Sequence, residues 1–244
     1  MKPLRLGLQK VTLLDYPGLV ACTVFFPGCN FRCPYCHNGT LVLSGEPPLL
    51  PAEEVLDFLK KRSGLLDGVC FTGGEPLLHP ELPFYAEYAK SFGYKIKLDT
   101  NGSFPDRLKA ILHAGLADYV AMDLKNSPGK YAKTCGMENP LPSVEQSVDL
   151  LLKGKTEYEF RTTVTGNLHT VSDFTAIGQW ICGASRYFLQ PFRNSQDLLD
   201  KSMDYSHTEE FLSACLTAVQ KYVPSAKIRG TVSGKENDHD SQTI

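Results

Sequence analysis

The feature that most constrains the fold is an alternation of short apolar segments with helical patterns along the chain. Six segments rich in β-branched and aromatic residues each precede a stretch with apolar residues at helical spacing. Strands that alternate with helices predict a parallel sheet covered by helices. This pattern fits a doubly wound sheet or a full or partial barrel, and both folds bind ligands at the carboxyl ends of their strands. The predicted strands cover residues 20–26, 68–72, 94–98, 118–122, 158–164 and 186–190.

Length and composition indicate one globular domain. The chain has 244 residues, of which 42% are hydrophobic and 21% charged. Single α/β barrels reach about 200–250 residues, so we expect one domain over residues 1–230 and a polar tail over 231–244. The net charge of −2 gives no electrostatic reason to expect binding to nucleic acid or to an anionic membrane. No apolar run reaches transmembrane length and the N-terminus lacks a signal-peptide pattern, which predicts a cytoplasmic protein.

Three cysteines stand close together directly after the first predicted strand. Cys29, Cys33 and Cys36 have the spacing C-x3-C-x2-C. Thiolates are soft ligands that suit zinc or iron–sulfur centres, and cytoplasmic proteins keep their thiols reduced. If the loop holds a four-iron cluster, three cysteines leave one iron open to a substrate or cofactor. Together with His37, the same cysteines could instead form a Cys3His zinc site.

The other five cysteines are scattered in or beside apolar runs. We expect each of them to be a small buried hydrophobic residue and not a ligand. They are Cys22, Cys70, Cys135, Cys182 and Cys215.

A Gly-Gly-Glu-Pro turn follows the second predicted strand. At Gly73 and Gly74 the absence of side chains lets the backbone come close to a ligand. Glu75 adds a carboxylate that can accept hydrogen bonds from an ammonium group. Alone, the motif is weak evidence, because most turns of this composition are only turns.

The third and fourth predicted strands also end in polar residues. Asp99 and Asn101 could form hydrogen bonds with ribose hydroxyls, although an Asn-Gly pair is common in ordinary turns. Asp123 and Lys125 flank one residue at a strand end, so their side chains point to the same side. They could position a charged ligand, or form a surface ion pair that is worth little to stability. Because these motifs follow the cysteine loop on successive strand ends, we expect one site.

The loop and the strand-end motifs together resemble the radical S-adenosylmethionine (SAM) superfamily. As in that superfamily, an aromatic residue, Tyr35, directly precedes the last cysteine of the loop, and a Gly-Gly-Glu turn follows on the next strand. Asp-Tyr-Pro-Gly at 15–18, Asp-Leu-Lys at 123–125 and Leu-Gln-Pro-Phe at 189–192 are similar to activating enzymes of glycyl-radical enzymes. The resemblance covers about residues 8–193 and is closest to the anaerobic ribonucleoside-triphosphate reductase activating proteins.

This resemblance implies an α/β fold, a single-domain partial (β/α)6 TIM-like barrel with parallel strands. It implies that the three clustered cysteines bind one [4Fe–4S] cluster, and that SAM binds its open iron and is reductively cleaved to a 5′-deoxyadenosyl radical. That radical would abstract a glycine Cα hydrogen from a partner glycyl-radical enzyme, with flavodoxin or ferredoxin as electron donor. Asp123 is implied as a positioning residue. Cofactor contacts are implied for Tyr35, His37, Gly73, Gly74, Glu75, Asp99, Asn101, Lys125 and Arg193.

Other functions stay open. Pyruvate formate-lyase activators usually have Asp-Gly-Pro-Gly where this chain has Asp-Tyr-Pro-Gly, and a histidine where it has Arg193. A radical SAM enzyme that acts on a small molecule, for instance in deazapurine synthesis, would use the same cofactors. An iron–sulfur sensor, which is not an enzyme, would keep the cysteine loop but would not cleave SAM.

Overall fold

One nine-stranded sheet forms the centre of the computed structural model, which describes residues 4–43 and 49–230. Its strands are β1 (Arg5–Thr12), β2 (Ala21–Phe26), β3 (Leu50–Pro51), β4 (Gly68–Gly73), β5 (Lys95–Thr100), β6 (Tyr119–Asp123), β7 (Glu157–Val164), β8 (Tyr187–Pro191) and β9 (Lys227–Ile228). Across the sheet the order is β3-β1-β2-β4-β5-β6-β7-β8-β9. All neighbours from β2 to β9 pair in parallel, whereas β1 pairs antiparallel with both β2 and β3.

The order of the parallel strands never reverses along the sheet. A sheet that winds in one direction is the arrangement of a barrel, whereas a doubly wound sheet changes direction at a switch point. Among the described residues β3 and β9 are the outer strands and do not pair with each other, so the barrel stays open. The predicted α/β partial barrel is therefore confirmed, with an antiparallel extension that the sequence patterns did not predict.

Helices connect most of the parallel strands. They are α1 (Gly39–Leu43), α2 (Ala52–Arg62), α3 (Leu82–Ser91), α4 (Pro105–His113), α5 (Tyr131–Cys135), α6 (Leu141–Lys153), α7 (Val171–Trp180) and α8 (Glu209–Gln220). The longer helices are amphipathic; α2, for example, buries Val55 and Leu59 and has acidic residues in its first turn and basic residues in its last. This charge order complements the helix dipole. No helix in the described ranges has the length and apolar character needed to span a membrane.

Two features differ from the sequence expectations. β1 was not predicted because only Leu6 and Thr12 along it are buried, so it has no continuous apolar run. Cys182 is exposed in the turn after α7, so its prediction as a buried residue was wrong. The other four scattered cysteines are buried, as predicted. The predicted polar tail, 231–244, lies outside the described residues.

Candidate active site

The cysteine loop leaves the carboxyl end of β2 and is held by backbone hydrogen bonds to distant parts of the chain. The amide of Leu199 donates to the Cys36 carbonyl at 3.1 Å. The amide of Arg32 donates to the Cys135 carbonyl at 2.7 Å. Because the loop is not part of a strand or a long helix, these bonds are what keep its thiols in place.

A cavity of about 230 Å³ opens beside this loop, at the carboxyl ends of β4 to β7. Cys29, Cys33 and Cys36 line it. The structure brings all but two of the predicted site residues to this cavity, the exceptions being Glu75 and Arg193. The others that line it are Tyr35, His37, Gly73, Gly74, Asp99, Asn101, Asp123 and Lys125.

Glu75 is fully buried and lies outside the cavity lining. Its carboxylate accepts hydrogen bonds from the Leu77 amide at 3.0 Å, the Thr100 hydroxyl at 2.8 Å and the Asn101 amide at 2.7 Å. Burial raises the pKa of this carboxyl to about 7. The side chain therefore ties the end of β4 to the turn after β5, and its contact with a cofactor stays a prediction.

Arg193 and His37 meet at the edge of the cavity. The Nε2 atom of His37 lies 2.5 Å from the carbonyl oxygen of Arg193, and its ring stacks on Phe192 with centroids 5.2 Å apart. Arg193 lines a neighbouring cavity instead of the one that contains the cysteines. Its backbone, in this structure, orients His37.

The two glycines after β4 are explained first by packing. A Cβ atom on Gly74 would lie 1.8 Å from the Gly28 carbonyl oxygen, and one on Gly73 would lie 2.4 Å from the Phe26 carbonyl oxygen. Gly73 also has a φ of +125°, which side chains disfavour. At Gly73 and Gly74 the backbone therefore lies closer to the end of β2 and the start of the cysteine loop than a residue with a side chain would allow. Both glycines also line the cavity.

A row of charged side chains from β5, from β6 and the residues directly after it, and from β7 lies beside the cavity, and all of them except Lys97 line it. Arg161 donates through Nε to Asp123 at 2.8 Å, and its Nη1 lies 3.4 Å from the Asp99 carboxylate. Lys125 donates to the other oxygen of Asp123 at 3.2 Å. Lys97 pairs with Asp99. We call these five residues the charged row; strand register creates it, since Asp123 and Arg161 are direct partners across β6 and β7.

Electrostatics keep the carboxylates of the charged row ionised. Burial alone would raise the pKa of Asp123, but Arg161 and Lys125 hold it at about 2. Burial likewise opposes ionisation of Asp99, and Arg161 and Lys97 more than offset it, so its pKa lies below the usual value. Four of the five residues line the cavity, and there the two cations, Lys125 and Arg161, balance the two carboxylates.

Sequence reasoning missed Arg161 and Lys97. Lys97 is only 1% exposed, and Arg161 lines the cavity although it lies within a strand. A strand of a parallel sheet is buried on both faces and is usually apolar throughout, so a charged residue inside such a strand was an available signal. Thr72 and Thr163, which also line the cavity, carried no comparable signal.

The donor set and a buried hydroxyl fit an iron–sulfur cluster with a polar ligand beside it. Tyr35 lines the cavity, and its buried hydroxyl has no hydrogen-bond partner within residues 4–43 and 49–230. An unmade hydrogen bond of this kind costs about 1–3 kcal/mol, which a bound polar group would recover. In the same ranges no three His, Cys, Asp or Glu side chains converge on one metal ion. In an iron–sulfur cluster each thiolate binds its own iron, so the three cysteines fit such a cluster without converging on a single atom.

Fold and site together define an open α/β barrel with three cysteines beside a cavity at the carboxyl ends of its strands. The family model of the radical SAM superfamily matches residues 23–181. The chain therefore belongs to the radical SAM superfamily, and the resemblance seen in its motifs is confirmed. Membership implies both SAM and an iron–sulfur cluster as cofactors.

Three proteins similar in sequence to this chain have different functions. A Methanocaldococcus jannaschii protein assigned as a glycyl-radical enzyme activating enzyme is 29% identical over 244 residues, covering 96% of this chain and 98% of its own. The pyruvate formate-lyase-activating enzyme of Clostridium pasteurianum is 36% identical over 125 residues, covering 49% and 51%. The 7-carboxy-7-deazaguanine synthase of Haemophilus influenzae is 28% identical over 172 residues, covering 66% and 75%.

Solved structures show the same fold. Streptococcus suis SuiB, solved with bound S-adenosylmethionine, superposes with a TM-score of 0.66 over 85% of this chain and 52% of its own. At 12% identity this likeness concerns the fold alone.

Proposed function

We propose that this protein activates a glycyl-radical enzyme, and that the partner is an anaerobic ribonucleoside-triphosphate reductase. The observation that carries the proposal is the match to the Methanocaldococcus jannaschii activating enzyme, which extends over nearly the whole of both chains. The matches to the pyruvate formate-lyase activator and to the deazaguanine synthase leave larger parts of this chain unaligned. The Asp-Tyr-Pro-Gly segment at 15–18 further favours the reductase as partner.

In this proposal Cys29, Cys33 and Cys36 hold one [4Fe–4S] cluster. When bound, the reduced cluster and SAM supply a 5′-deoxyadenosyl radical that takes a hydrogen atom from a glycine Cα of the partner. The cofactors carry this chemistry, and the protein contributes binding, orientation and exclusion of water. We therefore assign no acid–base pair to the site.

The side chains around the cavity orient SAM in the proposed site. Lys125, held by Asp123 at 3.2 Å, provides a cation for the carboxylate of the methionine moiety. Asp99, near the end of β5, and Asn101, directly after it, contact the ribose. The backbones of Gly73 and Gly74 contact the methionine end. The backbone around Tyr35 and His37 contacts the adenine.

The proposal is tested by anaerobic incubation of the reduced protein and SAM with an anaerobic ribonucleoside-triphosphate reductase, and in parallel with a pyruvate formate-lyase. We expect a glycyl doublet in the electron paramagnetic resonance spectrum of the reductase, with a matching amount of 5′-deoxyadenosine. A doublet on the lyase alone would reassign the partner. Absence of a doublet on both would contradict the proposed function.

A radical SAM enzyme acting on a small molecule is the second candidate. It is favoured by the deazaguanine synthase match, which covers 75% of that enzyme. This candidate predicts 5′-deoxyadenosine formation that depends on a deazapurine precursor and gives no glycyl radical. Product analysis by mass spectrometry with and without the precursor distinguishes the two candidates.

Cluster reduction requires an electron donor, for which we propose flavodoxin or ferredoxin, and we propose a cytoplasmic location. All cysteines in the described ranges are free thiols, as expected in a reducing compartment. Replacing dithionite by reduced flavodoxin or reduced ferredoxin in the activation assay tests the donor. If the protein is active with dithionite but with neither of these two proteins, the proposed donor is wrong.

A further inference from the structure

The side chain of Asn101 forms hydrogen bonds through both ends of its amide and reaches the cysteine loop. Its Nδ2 atom donates to the Sγ atom of Cys29 at 3.6 Å and to the Oδ1 atom of Asn30 at 3.0 Å. Its Oδ1 atom accepts hydrogen bonds from the backbone amide of Ser103 at 2.9 Å and from the Ser103 hydroxyl at 2.5 Å. Asn101 therefore links the residues after β5 to the first cysteine of the loop.

The surroundings of the amide fix which of its ends faces the sulfur. The backbone amide of Ser103 can only donate, so the Asn101 oxygen has to face it, and the N–H groups then point to Cys29 and Asn30. The Asn101 side chain is buried, and its backbone amide donates to the Glu75 carboxylate at 2.7 Å. One N–H group is thus held beside the Cys29 sulfur by bonds that do not involve a cofactor.

Hydrogen bonds at this sulfur have a direct meaning for a cluster. The Cys29 sulfur also accepts a hydrogen bond from the backbone amide of Phe31, at 3.3 Å. Hydrogen bonds to the cysteine sulfurs are among the factors that set the reduction potential of an iron–sulfur cluster. Reduction adds one electron and therefore one negative charge. An N–H group at the sulfur consequently stabilises the reduced form more than the oxidised form.

We propose that Asn101 raises the reduction potential of the cluster through its hydrogen bond to Cys29. In this role it is a positioning residue, because it acts on the cluster through a ligand. The inference rests on that part of the proposed function which assigns the cluster to the cysteine loop, and it involves neither SAM nor the partner protein. As long as both N–H groups keep their partners, the ribose contact proposed for Asn101 has to use the carbonyl oxygen.

The test is a redox titration with dithionite in the absence of SAM and partner, followed by the electron paramagnetic resonance signal of the reduced cluster. It compares the wild-type protein with Asn101→Ala, which removes the N–H group, and with Asn101→Asp, which keeps the size of the side chain. The control is Ser103→Ala, which changes the same network but keeps the backbone amide that holds the Asn101 oxygen. Iron content and far-ultraviolet circular dichroism check that each variant is loaded and folded.

We expect Asn101→Ala to lower the equilibrium constant for cluster reduction by up to about tenfold, which for one electron is a fall of about 59 mV in the midpoint potential. Asn101→Asp should lower the potential further, because a carboxylate oxygen then replaces the N–H group beside the sulfur. Ser103→Ala should keep the wild-type potential. A side chain that only supported the loop would change the cluster content of the variants without producing this order of potentials.

Two results of the titration would overturn the inference in distinguishable ways. If the wild-type protein and both Asn101 variants have the same potential, the inference is wrong and the proposed cluster site stands. If the wild-type protein takes up no cluster, the proposed cluster site fails and the inference fails with it.

A second measurement decides the question if neither Asn101 variant holds a cluster. Wild-type protein is labelled with a nitrogen isotope in the side-chain amides of its asparagines, and the reduced cluster is studied by pulsed electron paramagnetic resonance. We expect a hyperfine coupling between the cluster and the labelled nitrogen of Asn101. Absence of any such coupling would overturn the inference.

Discussion

The cysteine loop and four of the five residues of the charged row line one cavity, but the two parts are built in different ways. The loop takes three thiols from one short segment, and the spacing of its cysteines is visible in the sequence. The charged row takes four side chains from three strands and a fifth, that of Lys125, from just after β6, and only the register of the sheet brings them together. The comparison shows that a site can combine a part encoded by local spacing with a part encoded by tertiary structure.

The two parts also depend on different forces. Backbone hydrogen bonds from distant segments hold the loop, so its thiols contribute chemistry more than stability. The charged row is stable as a set, because each charge in it has an opposite charge beside it. Substitutions in the loop should therefore remove activity and leave the fold, whereas substitutions in the row should affect both.

The largest effect is expected for Cys33→Ala. Loss of one of three thiolates should abolish the cluster, and with it the absorbance near 400 nm and all 5′-deoxyadenosine formation. The far-ultraviolet circular dichroism should stay that of the wild type. Cys182→Ala, which removes the exposed cysteine, is the control and should keep both cluster and activity. A fully active Cys33→Ala protein would contradict the assignment of the loop as the cluster site.

The next effect is expected for Arg161→Gln, which removes the cation between Asp99 and Asp123. The two carboxylates would lose their shared partner, and for these half-buried pairs the cost should lie between about 1 kcal/mol for an exposed pair and about 3–5 kcal/mol for a fully buried one. Chemical denaturation should show that loss in the free energy of unfolding. The control is Arg186→Gln, whose exposed ion pair with Glu157 should contribute at most about 1 kcal/mol. Equal losses in the two variants would refute the special role of the charged row.

The same contrast explains how far the sequence could predict the structure. Parallel strands such as β2 and β4 have continuous apolar runs, so their positions were predictable, whereas β1 alternates too weakly to be detected. The cysteines and the Asp123–Lys125 pair were found because their spacing is local. Arg161 was missed because its partners lie 62 and 38 residues away in the chain, and no local pattern records that distance.

The role of Glu75 shows a second limit of local patterns. Its position in the Gly-Gly-Glu turn predicted a ligand contact, which stays a prediction, and the structure adds that its carboxylate accepts hydrogen bonds from its own turn and from the end of β5. A motif identifies a residue as unusual without saying which of its neighbours is the partner. The hydrogen-bond partners of Glu75 at the end of β5 become visible only when the pairing of β4 with β5 is known.

The pH dependence of stability should separate Glu75 from the charged row. Burial raises the Glu75 pKa from 4.5 to about 7. Between these values the folded state holds a proton that the unfolded state has lost. The associated stability is complete below about pH 4.5 and disappears as the pH rises through 7. The pKa values of Asp99 and Asp123 are lowered, so they add no slope in this range.

The measurement is chemical denaturation of the wild-type protein and of Glu75→Gln between about pH 5 and 7. Relative to the variant, the wild type should lose up to about 1.4 kcal/mol per pH unit, because one proton is linked to folding. Taking the difference at each pH cancels the contributions of other groups. If the free energies of unfolding of the two proteins instead change in parallel with pH, the Glu75 carboxyl is ionised throughout the range, like the carboxylates of the charged row.

The smallest effect is expected for Asp197→Ala, which tests how the cysteine loop is held. Asp197 lies after β8, and its side chain accepts a hydrogen bond from the Thr40 amide at 3.0 Å, while its carbonyl accepts one from the Gly39 amide at 2.9 Å. Removing the side chain should destabilise the protein by about 1 kcal/mol, because the backbone bond remains. It should also speed loss of the cluster to a chelator several-fold. Asp204→Ala, whose carboxylate binds the amide of Ser206 in the same segment, should leave that rate unchanged. Equal rates for both variants would mean that the loop is positioned by its other bonds, such as that from Leu199 to Cys36.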